Sequence, residues 1–318
     1  MALPRLIFVT GKGGTGKSTV AAALACAMAR RRPTTLADLD GRQSAARILG
    51  HQASAAPDAR VAPDVHVATN YAGSATTILD GALELAALTP RAELEAFIQR
   101  IVPLRAISRR MLKSRTFGYV TAALPGLEAF LMIDRLRLIA GRAALEDRFA
   151  VIDAPATGHA LELLAVARTI KGLAPIGTLN RLARAVEEFL ADRNRFGVVL
   201  TVLPEELALR EAIEAAGTLR DQLGIESISA ILNGVAPALF TAAEIDRMPA
   251  LGGHRALAQR RRAAAEFAVH ARRELKRAGL GVVELPMQYA AQLGALELDA
   301  MSAGLAAGLL GGAEPRAR

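Results

Sequence analysis

Eight residues near the start of the chain, Gly11-Lys12-Gly13-Gly14-Thr15-Gly16-Lys17-Ser18, have the types and spacing needed to wrap a chain of phosphates. Gly11, Gly16, Lys17 and Ser18 satisfy the pattern G-x-x-x-x-G-K-[S/T]. In that pattern glycines let the backbone turn its N–H groups toward phosphate oxygens, a lysine reaches the β- and γ-phosphates, and a hydroxyl ligates Mg²⁺. Lys17 and Ser18 supply the ammonium and the hydroxyl, Gly13, Gly14 and Thr15 lie inside the cradle, and Thr19 follows it. The flanks agree, since residues 5–10 read as an apolar strand and 18–31 as an alanine-rich helix whose start adds partial positive charge.

Lysine is rare here, at Lys12, Lys17, Lys113, Lys171 and Lys276 alone, while arginine is used throughout. A lysine in such a chain marks a place that needs a compact ammonium instead of a planar fork. Lys17 fits that need directly, and the same argument singles out Lys12.

Two carboxylates fall at the ends of apolar runs, Asp38 after 34–38 and Asp153 after 148–153. Asp38-Leu-Asp40-Gly-Arg-Gln-Ser44 also reads as a turn capped by acidic residues. Thr157-Gly158 reads as a helix start with Thr157 as N-cap.

Apolar runs alternating with helical patterns position these residues. Strands are expected at 5–10, 34–38, 65–69, 148–153, 197–203, 227–232 and 281–285. Rich in Val, Ile and Leu, they suit a sheet covered on both faces. The fold class expected is α/β, a P-loop NTPase with a mostly parallel central sheet flanked by helices and a helical insertion subdomain. Residues 1–72 and 146–318 would form the core, and 73–145 with 236–279 the insertion. Helical spacing is read at 79–88 and 91–101, with a highly basic helix at 255–277.

Composition narrows the classes. The 318 residues carry a formal net charge of +8, but the bias to arginine and the 4% aromatic content argue against a stacking nucleic-acid surface. Cys26 is the sole cysteine, so one chain makes neither an internal disulfide nor a Cys-x-x-Cys zinc site, and a core role suits it. The longest apolar stretch, 120–133, contains Pro125 and Glu128 and is too short to span a bilayer. No leader is read before the first strand, and a cytoplasmic location with at most peripheral membrane association is expected.

The loop Gly11–Ser18 resembles the deviant Walker A loop, K-G-G-x-G-K-[S/T], of the partition and septum-site ATPases, the nitrogenase iron protein and the arsenical-pump ATPases. Val151-Ile-Asp153-Ala-Pro-Ala-Thr157-Gly158-His159 is similar to the switch II segment of the arsenical-pump and tail-anchored-protein targeting ATPases, with Ala and Pro exchanged by one step. The resemblance implies ATP and Mg²⁺ as ligands, Lys12 reaching across a dimer to the partner's nucleotide, and Ser18, Asp38 and Asp153 around the metal. It implies that the aspartate positioning the attacking water is Asp38 or Asp40, with Asp38 preferred because Ser44 then falls on a family serine six residues later. Asp38–Gln43, by contrast, resembles the chromosome-partitioning branch. Pro204, Glu205 and Asn233 resemble contacts to ribose and adenine, and 285–287 the late loop packed near the base.

The reading expected is an ATP-hydrolysing dimeric switch, with an identical or paralogous partner subunit, coupled to a protein or membrane client. The stripe 117–139, with Leu124, Leu127, Phe130, Leu131 and Met132, is either a hydrophobic client groove or a subdomain core. The second reading is a partition-type ATPase that positions DNA or division components, suggested by Asp38–Gln43 and the basic helix.

Overall fold

The computed structural model describes residues 3–39, 43–50, 76–79, 81–101, 126–249, 253–290 and 293–309. Its sheet is built from β1 (Leu6–Gly11), β2 (Thr34–Asp38), β3 (Thr76–Ile78), β4 (Leu83–Ala87), β5 (Phe149–Asp153), β6 (Phe196–Val202), β7 (Ile228–Val235) and β8 (Gly281–Pro286). The order across the sheet is β3-β4-β2-β5-β1-β6-β7-β8. Among the described residues only β3 runs antiparallel, on the edge beside β4, and the seven other strands are parallel.

Strand periodicity divides the core into two layers. Leu6 and Phe8 of β1 face one cluster with Ala150, Ile152, Val198 and Leu200, whereas Ile7 and Val9 face the other with Val151, Val199 and Ile231. Burial on both faces is why these strands read as continuous apolar runs. On the first face lie α3 (Pro90–Ile101), α4 (Leu127–Leu145), α5 (Thr157–Leu173), α6 (Thr178–Ala191), α7 (Glu206–Gly217) and α9 (His254–Arg277). A short α8 (Ala242–Asp246) precedes α9, with a full capping box at Thr241 and Glu244.

The second face carries α1 (Lys17–Ala29), α2 (Ser44–Ile48) and α10 (Ala295–Leu309). Helix α1 is buried continuously from Val20 to Ala29, which its small side chains permit on every side. Leu298, Met301 and Leu305 of α10 pack in the same cluster as α1, and Arg30 pairs with Asp299 at their edge. Cys26 belongs to this layer, and burial pushes its thiol pKa up to about 11, with Arg30 opposing the shift and Asp299 adding to it.

One expected element changes type. Residues 79–88, expected to be helical, contain β4, paired in parallel with β2. Leu-Glu-Leu-Ala-Ala favours helix locally, but here Leu83 and Leu85 enter one layer while Ala86 enters the other. Glu84 is tolerated because Arg148 donates to its carboxylate at 2.8 Å, with Thr35 also in reach. The strand expected at 65–69 lies outside the described residues.

Of the two segments read as one insertion, β4 is part of the sheet, and α4 and α9 lie on its first face. Leu127, Phe130, Leu131 and Met132 are core residues there, so these four members of the apolar stripe are not a client groove; residues 117–125 lie outside the described residues. Helix α9 turns Ala268, Ala271 and Leu275 toward the sheet and its charges outward.

Candidate functional site

The phosphate loop leaves the sheet where β1 is flanked by β5 and β6. At Gly11 any Cβ would stand 2.3 Å from the Thr201 carbonyl oxygen of β6, a spacing only glycine allows. Thr15 closes the turn by donating its N–H and its hydroxyl to the Lys12 carbonyl, at 3.3 and 2.8 Å. Gly14 and Gly16 take left-handed φ values of 88° and 85°. Gly13 and Gly14 are exposed, with nothing within 4 Å of where a Cβ would stand.

Helix α1 starts at Lys17 with Gly16 as its N-cap and no side-chain cap on its first N–H groups. An uncapped N-terminus under a glycine loop is a cradle for phosphate. Lys17 folds back over the loop, donating from Nζ to the Lys12 carbonyl at 3.4 Å. Lys12 behaves differently. Its ammonium leaves the loop and pairs with Glu211 of α7 at 2.7 Å.

Asp38 and Asp153 end neighbouring strands and stand opposite each other in register, both buried. The Ser44 backbone N–H donates to Asp38 Oδ2 at 3.0 Å, fixing the carboxylate from the start of α2. The Thr10 hydroxyl donates to the Pro155 carbonyl at 2.7 Å, tying the segment after Asp153 to the strand that carries the loop. Two hard carboxylates in this register suit Mg²⁺, which binds oxygen and keeps waters and phosphate in its shell. Asp40 lies outside the described residues. Thr157 is the first helical residue of α5, not its cap; Ala156 holds the extended capping position, without a side-chain bond.

Pro204 and Glu205 lie between β6 and α7, Glu205 being the residue before that helix. Asn233 sits inside β7, not beyond its end, because pairing with β8 continues through it. Its amide donates from Nδ2 to the Thr15 carbonyl at 2.9 Å, and a Cβ on Gly16 would meet that nitrogen at 2.6 Å. Asn233 therefore braces the loop in this structure. Beside it, Gly234 at φ 74° packs against Met287 and Leu203, whose side chains lie 3.5 and 3.6 Å from where a Cβ would stand.

Two functional contacts escaped the sequence reading, Glu211 on Lys12 and the asparagine brace. Both join residues about two hundred positions apart. No local spacing signals either. The brace carries a prediction: Asn233→Ala should weaken nucleotide binding by about threefold to tenfold, the size of one lost hydrogen bond, and should also lower the melting temperature of nucleotide-free protein. Fluorescent-nucleotide titration and thermal melts separate this from a purely base-reading role, which would leave the nucleotide-free melt unchanged.

The fold and the loop together define a P-loop nucleotide-binding domain. Residues 6–241 match the model of the CobQ/CobB/MinD/ParA nucleotide binding domain, and the chain belongs to that family. It is 30% identical over 242 residues to the ATPase BagA of Mycobacterium tuberculosis, covering 74% of this chain and 66% of the relative. A Mycobacterium bovis protein provisionally named an ATPase matches with the same identity and coverage. The chain thus spans just under two thirds of these relatives' length. A Halobacterium salinarum protein provisionally named an arsenical pump-driving ATPase is 27% identical over 249 residues, covering 73% of this chain and 36% of that protein. The matched domain is a nucleotide-binding one, and the Mycobacterium relatives are named as ATPases. Among the described residues no helix is long and apolar enough to cross a membrane.

Proposed function

We propose that the protein is an arsenical-pump-like ATPase that works as a dimeric switch, with Lys12 of each subunit serving the nucleotide held by the other. The observation that carries this reading is the division of labour between the two loop lysines. Lys17 lies over its own loop, whereas Lys12 points away from it and stays about one-third exposed. A cation that does not serve its own cradle is available to a second copy, where it would offset charge developing in the transition state. The Halobacterium salinarum relative supports the arsenical-pump branch.

In this reading the loop N–H groups and Lys17 bind the triphosphate, and Pro204 and Glu205, which follow β6, contact the nucleoside. Ser18, Asp38 and Asp153 would hold Mg²⁺, which when bound neutralises phosphate charge and polarises the bond to be broken. Asp38, held by the Ser44 N–H, orients the attacking water and accepts its proton. The Thr10–Pro155 bond carries occupancy of the loop to the segment that starts α5, and from there to a hydrophobic protein or membrane client.

The test is ATP turnover per chain against protein concentration, with sedimentation run in ATP and in ADP. A rate that climbs with concentration as dimer accumulates supports the switch. A flat rate from a monomer overturns it. The partition-type reading draws on the basic helix α9, but Arg261 stacks over the Tyr289 ring at 4.7 Å and Arg262 pairs with Glu266 at 2.8 Å, so both are engaged within the chain. ATP-dependent DNA binding lost on neutralising Arg260, Arg261 and Arg262 would favour that reading instead.

A further inference from the structure

Glu211 lies on α7, the helix that follows the loop holding Pro204 and Glu205. Ala208, Leu209, Ala212 and Ala215 bury the helix against the sheet and leave Glu211 at the boundary with solvent. Because β6 pairs directly with β1, the start of α7 is carried to the side of the phosphate loop. There Glu211 Oε1 meets Lys12 Nζ at 2.7 Å, with 38% and 34% of the two side chains exposed. The neighbouring Arg210 reaches toward Glu214, at 3.9 Å. The acid at 211 thus faces the cation for which the proposed function needs another destination.

We infer that Glu211 is a positioning residue that restrains Lys12 within its own chain, so that the pair must open before Lys12 serves a second copy. The inference rests on the dimeric-switch reading. With its lysine held in cis, a lone subunit binds nucleotide but withholds the cation that completes the partner's site. Dimer formation trades this ion pair for contact with the partner's phosphates, which carry more negative charge than one carboxylate. The restraint is weak enough to yield. A pair this exposed disfavours its open state by about 1.5-fold to fivefold. A symmetric dimer opens two pairs, so the factors multiply to about twofold to 25-fold in the dimer dissociation constant.

The test uses the full chain as wild type, Glu211→Gln, Lys12→Ala and the double variant, each checked by thermal melt and by fluorescent ADP binding. ATP turnover per chain is measured over a wide range of protein concentration. Glu211→Gln is expected to reach half its maximal rate at a concentration about twofold to 25-fold lower, with the plateau unchanged. Sedimentation in ATP should show tighter self-association for Glu211→Gln than for wild type, and no such difference in the Lys12→Ala background. Glu211→Asp, which keeps the charge at shorter reach, should fall between wild type and Gln and serves if the Gln variant folds poorly.

An unchanged half-activating concentration, or a lowered plateau, overturns the inference while leaving the dimeric switch intact. A wild-type rate that does not depend on concentration removes the dimeric switch itself, and the restraint with it.

Discussion

Lys12→Ala is expected to lower ATP turnover by about 10³-fold, the lower end of the effect of a cation supplied in trans, while nucleotide binding stays within about threefold of wild type. The asymmetry follows from where the two parts of the residue act. Its backbone carbonyl accepts the bonds from Thr15 and Lys17 that shape the loop, and alanine keeps that carbonyl. Its side chain meets Glu211 and contributes nothing to its own cradle. Lys17→Ala makes the contrast, because that ammonium lies over the loop and its loss should weaken binding as well. Single-turnover hydrolysis with saturating ATP, beside a nucleotide titration, measures both quantities. Wild-type turnover from Lys12→Ala would reduce Lys12 to a solvated loop lysine.

Asp38→Asn is expected to lower turnover by about 10²-fold to 10⁴-fold, the range for losing a general base. Asparagine keeps an oxygen to accept the Ser44 N–H, so the start of α2 should persist. It removes the charge and the basicity. Asp38 is buried opposite Asp153, so the variant also removes one of two neighbouring negative charges from the interior. The expected signature is slow hydrolysis with a melting temperature equal to or above wild type. Full activity in Asp38→Asn would transfer the water-positioning role to Asp40.

Much of this could be read from the residues alone, for identifiable reasons. The phosphate loop is legible because its chemistry is local: glycine spacing, one lysine and one hydroxyl fit in eight positions. Six of the seven expected strands coincide with β1, β2, β5, β6, β7 and β8, since burial on both faces writes an unbroken apolar run. Strand β4 hid because Leu-Glu-Leu-Ala-Ala has helical propensity, and its strand character comes from neighbours β2 and Arg148. Asn233 was singled out for its place after a strand, yet its bond to Thr15 depends on β7 reaching the loop across β6. Glu211 carries no motif at all. Its meaning arises only when α7 is set beside β1.

The packing of α10 over α1 bears on how the protein is made. The helix that begins at Lys17 is roofed by Leu298, Met301 and Leu305, near the far end of the chain. On a ribosome the phosphate loop emerges well before the cover of its supporting helix. Until then a row of alanines and Leu24, Cys26 and Met28 lacks part of its apolar surroundings. A nascent chain stalled before residue 295 should therefore fail to retain nucleotide on its own, and ATP-binding competence should be acquired only once α10 has been made and docks.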